Sequence, residues 1–375
     1  MAILVTTMTQ PDPILPNFNG ACIRGIMPAL LAPRRSAWPE WFPDLARNPR
    51  AIVVLVLDGL GWEQLQSRRS IAQTLAAMSA VPITSVAPST TATALTSITT
   101  GLTPGEHGIV GYRAELGGRV VNMLRWRDDT GDVQRTHVPR TIQPFAPFLG
   151  EQVPVITKAE FARTGFTEAH LRGGRLMGWR LPSNIPTLVR EAIDAGDRVV
   201  YAYYDGIDHV AHERGFGPFY DAELRTADRL VADVIDALPD GCSLLVTADH
   251  GQVQVDSPAI ALESEVQRLI RGQSGEGRFR WLHTAPAQVD DLQRVCTDLY
   301  GDRAWVVTRR QAIDQGWFGP VVSPPVAARF GDVALVPFEA VTFDDPADSG
   351  SFPMICRHGS LTSAEMLVPL LAANR

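Results

Sequence analysis

Short apolar runs that end abruptly in acidic residues dominate the pattern of this chain. Ala51 to Leu57 carries no polar position and stops at Asp58-Gly59-Leu60-Gly61. Such a run, β-branched and without alternation, predicts a strand covered on both faces, as in a parallel α/β sheet. Arg198 to Tyr204 behaves alike and runs into Asp205-Gly-Ile-Asp208-His209-Val-Ala-His212, and Cys242 to Ala248 runs into Asp249-His250-Gly251. Open α/β sheets place ligands at the carboxyl ends of their strands, so all three acidic breaks are expected on one edge.

Between these runs the pattern turns helical. Asp221 to Leu238, after Pro218, predicts a helix, and Ser243 to Thr247 the strand that follows it. Alternating strand and helix signals from Ala51 to about Glu263 predict an α/β fold, a mostly parallel sheet flanked by helices. From Ser264 to Thr342 the acidic breaks cease, and Arg278 to His283, Pro286 to Tyr300, Trp305 to Thr308 and Gln311 to Gly316 predict strand, helix, strand, helix. The expected organisation is a proline-rich arm over residues 1–50 (Pro11, Pro13, Pro16, Pro28, Pro33, Pro39, Pro43), a core over 51–263 and 343–375, and a small α/β cap insertion over 264–342.

Composition narrows the class. The chain has 375 residues, 45% of them hydrophobic, and a formal net charge of -7. It is long enough to bury a large core, and it has no basic run, which argues against a nucleic acid polymer as partner. Met1 to Gln10 lacks the positive region of a signal peptide, and no window approaches the roughly 20 apolar residues of a transmembrane helix, so a cytoplasmic location is expected. Cys22, Cys242, Cys296 and Cys356 form no paired motif, and neither a disulfide framework nor a thiolate metal site is expected.

The candidate chemistry lies at the breaks. Val86 to Gly101 is rich in Ser and Thr, and Ser89 or Thr90 would cap a helix whose first turn offers free N–H groups to an anion. A hydroxyl there, Thr90 or Thr91, needs a metal or a base to become a nucleophile. Asp208 and His212 share a helix face at a spacing of four, but so do Asp205 and His209. Arg357-His358-Gly359 adds a third imidazole near the end of the chain. Mixed Asp and His sets favour zinc over calcium or magnesium.

Taken together, Asp58, Thr91 ten residues before Gly101, Asp208-x-x-x-His212, Asp249-His250 and His358 resemble the nucleotide pyrophosphatase/phosphodiesterase branch of the alkaline phosphatase superfamily, from about Ile52 to the carboxyl end. Leu102 to Gly111, with its His107-Gly108 pair, is similar to the same family's continuation. The resemblance implies an alkaline-phosphatase-like core and two divalent metal ions, zinc or manganese. It implies one metal on Asp58, Thr91, Asp249 and His250, a second on Asp208, His212 and His358, and Thr91 rather than Thr90 as nucleophile. The implied activity is hydrolysis of a small-molecule phosphate diester, of nucleotide, lipid or aryl type, through a phosphothreonine. The alternatives are a phosphomonoesterase or phosphonate hydrolase of the superfamily, or a non-catalytic ligand-binding member.

The chain departs from the family pattern at two positions. Asparagines that contact the phosphate are replaced by Ala94 and Tyr112. Tyr112, Arg113, Arg125, Lys158 and Tyr204 are therefore candidates for substrate contacts, and Trp281, Trp305, Trp317 and Phe318 for stacking from the cap or for packing within it. A sulfatase motif is absent near Thr91, and the chain is too short for a cofactor-independent phosphoglycerate mutase.

Overall fold

The computed structural model describes residues 10–32, 38–348 and 354–375. The amino-terminal segment read for a signal peptide, Met1 to Thr9, and Pro33 of the arm lie outside the described residues. The first sheet takes β1 (Ile52–Leu57), β2 (Ser79–Thr84), β3 (Pro154–Lys158), β4 (Arg175–Trp179), β5 (Val199–Tyr204) and β6 (Ser243–Thr247). The second takes β7 (Ile270–Glu276), β8 (Phe279–Thr284), β9 (Ala304–Thr308) and β10 (Val333–Pro337), after which β11 (Leu367–Asn374) returns to the first.

The order in the first sheet is β2-β11-β6-β1-β5-β3-β4. The five strands from β6 to β4 run parallel, while β11 pairs antiparallel with both β6 and β2. All six residues of β1 are buried, as the unbroken apolar run requires for a strand covered on both faces. In register, Leu57 pairs with Tyr204 and Val56 with Thr247, so the residues that follow β1, β5 and β6 emerge side by side at one edge.

Helix α1 (Thr91–Thr100) starts at the Ser/Thr-rich stretch and is buried along its whole length. A helix so rich in hydroxyls survives burial because Thr96, Thr99 and Thr100 donate to carbonyls one turn back at 2.7, 3.0 and 2.6 Å. His107 fixes its far side: the Ile109 N–H donates to Nδ1 at 3.1 Å, so Nε2 bears the proton shared with Ser97 Oγ at 2.8 Å. The arm is not wholly irregular. Ile23 to Met27 are largely buried beneath α1, Ile26–Leu31 is helical, and Arg24 donates to Gly101 O at 3.1 Å.

The second sheet is antiparallel in the order β7-β8-β10-β9, with a helix at Val289–Tyr300. The alternation predicted there found β8, that helix, β9 and the helix Arg309–Asp314, but missed β7 and β10. Gly275 and Gly277 in β7 and its turn, and Pro337 ending β10, weaken the strand signal. Trp281, Trp317 and Phe318 are buried against one another and against Phe279 and Phe330, and Trp305 packs on Phe338, so packing replaces stacking on a ligand at all four candidate positions.

A buried ion pair ties this sheet to the carboxyl-terminal segment. Arg278 is fully buried and donates to Glu365 Oε1 and Oε2 at 2.9 and 2.7 Å and to the carbonyls of Pro337, Glu339 and Val341. Glu365 in turn accepts from Ser360 N and Thr362 Oγ1, two and four residues beyond His358. Removing one partner of such a pair leaves a buried charge without compensation. Arg278→Met should therefore lower the unfolding free energy by about 3–5 kcal/mol in urea melts, and adding Glu365→Gln should recover part of that loss.

Burial pushes the His107 imidazole down from the ordinary 6.5 to about 3. The unfolded chain then takes up a proton near pH 6.5 while the folded one does not, so stability is full above that pH and is lost as pH falls toward 3. His107→Gln should flatten the fall in unfolding free energy between pH 7 and 5, measured by urea melts, by up to roughly 1.4 kcal/mol per pH unit.

Candidate functional site

The three acidic breaks converge. Asp58 follows β1, Asp208 lies in helix α2 (Gly206–Arg214) just after β5, and Asp249 and His250 follow β6. Gly59 between them has φ +73, and a Cβ there would collide with Gln252 Nε2 and Asp208, so the turn both needs positive φ and admits no side chain.

Asp249 Oδ1 accepts the backbone N–H of Gly59 at 3.1 Å and of His250 at 3.0 Å, whereas its Oδ2 has no hydrogen-bond partner. Asp58 Oδ2 accepts from the Tyr203 hydroxyl, and its Oδ1 is likewise unpartnered. Both orphaned oxygens lie 3.5 Å from His250 Nε2, and Thr91 Oγ1 lies 3.1 Å from the same nitrogen. Burial, then the charges of Asp249 and Asp208, push the Asp58 carboxyl well above its usual range. Burial and then Asp249 do the same to Asp208.

The imidazoles share one arrangement. Nδ1 of His212 lies 2.7 Å from Cys356 O, that of His250 3.1 Å from Gly251 O, and that of His358 3.0 Å from Ser89 O. A carbonyl only accepts, so each Nδ1 carries the proton and each Nε2 presents a lone pair. Burial lowers His212 to about 4 and His358 well below its ordinary value, so both are neutral at pH 7. The His250 and His358 rings stack with centroids 3.7 Å apart. His212 Nε2 is 3.3 Å from Asp208 Oδ1.

Among the described residues two groups have the reach to hold a cation: Asp58, Asp249 and His250, and Asp208, His250 and His358. The second differs from the set implied by sequence in that His250, which faces both groups, takes the place of His212, one contact away beside Asp208. Asp205 and His209, the other pair at the same spacing, have other partners: Asp205 binds Lys158 at 2.7 Å, and His209 lies 3.9 Å from Glu213. At the start of α1, Thr91 and not Thr90 lies against His250 Nε2, the nitrogen that both orphaned oxygens face. Thr90 instead hydrogen-bonds Glu276, a carboxyl raised to about 8 mainly by burial and 3.8 Å from His358 Nδ1.

A cavity of about 470 Å³ opens from Asp58, Thr91 and Asp208. Of the sequence candidates for substrate contacts, Arg125 alone lines it. Arg113 is buried and bound to Asp345 at 2.5 Å, and Tyr204 donates to Glu223. Lys158 is held by Asp205, and Tyr112 lines a separate groove. For Arg113 and Lys158 a tertiary partner far along the chain absorbs the charge. The sequence pattern assigns no metal-site role to Tyr203, whose hydroxyl holds Asp58, or to Glu276. The alternation in β5, which puts Tyr201 and Tyr203 on one face, is the signal that points to Tyr203.

Among the described residues no helix is long and apolar enough to cross a membrane. A comparison with curated protein sequences finds no match. Solved structures share the fold. Murine ectonucleotide pyrophosphatase/phosphodiesterase 5, in an inactive form complexed with AMP, is 14% identical at a TM-score of 0.63, over 86% of this chain and 87% of that one. Phosphonoacetate hydrolase from Sinorhizobium meliloti in complex with phosphonoformate is 18% identical at a TM-score of 0.64, over 86% of this chain and 90% of that one. The profile of the type I phosphodiesterase/nucleotide pyrophosphatase family matches residues 52–359, and the chain belongs to that family.

Proposed function

We propose that the protein hydrolyses small-molecule phosphate diesters with Thr91 as nucleophile and two divalent metal ions, zinc first, as cofactors. The observation that carries this reading is the convergence of Asp58 Oδ1, Asp249 Oδ2, Thr91 Oγ1 and the His250 lone pair, with no lysine or arginine nitrogen within salt-bridge reach of either carboxylate among the described residues. Unpartnered buried carboxylates and imidazole lone pairs fit a cation and little else. Asp58, Asp249 and His250, with Thr91, would hold one ion, and Asp208, His212 and His358 the other. Such ions lower a hydroxyl pKa and neutralise charge on phosphorus oxygens.

The chain's own residues do the rest. Thr91 Oγ1 gives up its proton and attacks phosphorus in line, the bond from phosphorus to the ester oxygen breaks, that oxygen leaves with the electron pair and takes up the released proton as an alcohol, and a phosphothreonine remains. Water then attacks phosphorus, the bond to Oγ1 breaks, and Thr91 regains its proton. The free N–H groups of the first turn of α1 face the phosphoryl oxygens and take the place of the asparagines replaced by Ala94 and Tyr112. The bound ligands of the two structural relatives, AMP and phosphonoformate, both bear a phosphoryl or phosphonyl group, which supports phosphorus as the reacting centre. The division into arm, core and cap belongs to the same proposal, as does a cytoplasmic location, which the four free, buried cysteines support.

Metal analysis of the purified protein should find two zinc equivalents, and a chelator should lower both the melting temperature and turnover of bis(4-nitrophenyl) phosphate, with recovery on adding zinc. Thr91→Ala should cut kcat by at least about a thousandfold with the fold intact by circular dichroism. A variant that kept most of its activity would remove Thr91 from the mechanism.

A further inference from the structure

The cavity beside Thr91 has a carbon wall and a neutralised cation. Leu95 of α1, Leu124, Phe161, Phe166 and Leu171 form the wall. His170 stacks on Phe166 with centroids 3.8 Å apart, and its Nδ1 donates to Phe166 O at 2.6 Å. Burial lowers that imidazole to about 4, so it offers an uncharged ring face. Thr157, Thr164, Thr167, Tyr201 and Tyr203, with Asp205, Asp208, His209 and Arg125, make up the rest of the lining.

Lys158 is the single lysine of the chain. Its ammonium stands one hydrogen bond behind the wall, 2.7 Å from Asp205 Oδ2, which itself lines the cavity. The same nitrogen lies 5.7 Å from the Phe161 ring and 5.8 Å from that of Trp179. Its charge is therefore already satisfied by one carboxylate and two ring faces. Arg125, the remaining cation on the lining, is exposed, where an ion pair is screened and worth little.

A carboxylate reaching the wall of Leu124, Phe161 and Leu171 would exchange water for carbon and would face Asp205 with Lys158 already taken. An uncharged ring would meet Phe161, Leu171 and the His170 face. We propose that Asp205 is a specificity-determining residue: by occupying Lys158 it makes the cavity a subsite for an uncharged, ring-bearing group on phosphorus and turns away carboxylate-bearing phosphonates. The inference rests on the phosphoesterase reading for the identity of the head group, and it separates this chain from an enzyme that acts on phosphonoacetate.

Phenylphosphonate and phosphonoacetate carry the same head group and differ in what enters the cavity. Titrated by calorimetry into zinc-loaded Thr91→Ala protein, phenylphosphonate should bind at least about tenfold more tightly. Phe161→Ala in that background should remove most of the preference. Asp205→Asn should narrow or reverse it by freeing Lys158, and should raise the reactivity of that lysine toward acetic anhydride, read by mass spectrometry. Equal or tighter binding of phosphonoacetate before Asp205 is changed would overturn the proposal, as would a preference untouched by both substitutions. These readouts need no turnover. Absence of phosphodiesterase activity in the zinc-loaded wild type would sink the functional reading alone, while the binding preference would still decide the role of Asp205.

Discussion

Everything at this strand edge follows from one electrostatic constraint. Asp58 and Asp249 each bring an oxygen without a hydrogen-bond partner to 3.5 Å from the His250 Nε2 lone pair. Oxygen anions and a lone pair at that distance repel, and burial strengthens the repulsion because no solvent screens it. The fold overcomes this with hydrogen bonds that orient rather than neutralise: two backbone N–H groups on Asp249 Oδ1, the Tyr203 hydroxyl on Asp58 Oδ2, and a carbonyl on each imidazole Nδ1. Each of these leaves the opposite, electron-rich atom facing inward. An arrangement that spends so many contacts on aiming lone pairs at one point has the donor set to hold a cation.

The rest of the fold supplies rigidity around that point. Parallel pairing of β6, β1 and β5 sets the spacing of the acidic residues, because the register fixes where each strand ends. The carboxyl-terminal histidine rests on a shorter pairing, of Cys356 and Arg357 with Gln254 and Val253. His358 stands next to Gly359, whose φ is +124, and within reach of the network in which Arg278 and Glu365 join the second sheet to Ser360 and Thr362. Stability gained at that buried pair and in the apolar sheet offsets the repulsion held at the site, the usual relation between a functional centre and the scaffold that carries it.

What could be seen in the sequence tracks how local the cause is. β1, β5 and β6 were legible because burial on both faces leaves a continuous apolar run, and the acidic residues were legible because they interrupt it. Thr91 and Asp208 were separable from Thr90 and Asp205 only through the resemblance to a family, since chemistry and spacing are the same for both members of each pair. The polar partners were not legible. Arg113 meets Asp345 and Lys158 meets Asp205 across 232 and 47 residues, and Arg278 meets Glu365 across 87. No periodicity in one chain encodes such pairings, so an arginine near the motif looks free until the tertiary fold consumes it. Strands β7 and β10 were missed for a simpler reason, their glycine and proline content.

Charge usage joins these strands of argument. With one lysine in the chain, nearly every cation is an arginine, and the buried ones at 278, 280 and 113 act as multidentate struts between segments. A lysine is a poor strut, having a compact charge on a flexible stem, and a good point charge for a small anion. Its placement one hydrogen bond from the cavity, and its capture there by Asp205 between two aromatic rings, is thus the place where side-chain choice bears on ligand and not on fold. Near the candidate metal groups negative charge is left exposed to a cation, whereas in the adjoining cavity positive charge is cancelled before a ligand can use it. The two halves of the site therefore differ in kind: one attracts charge, and the other selects against it.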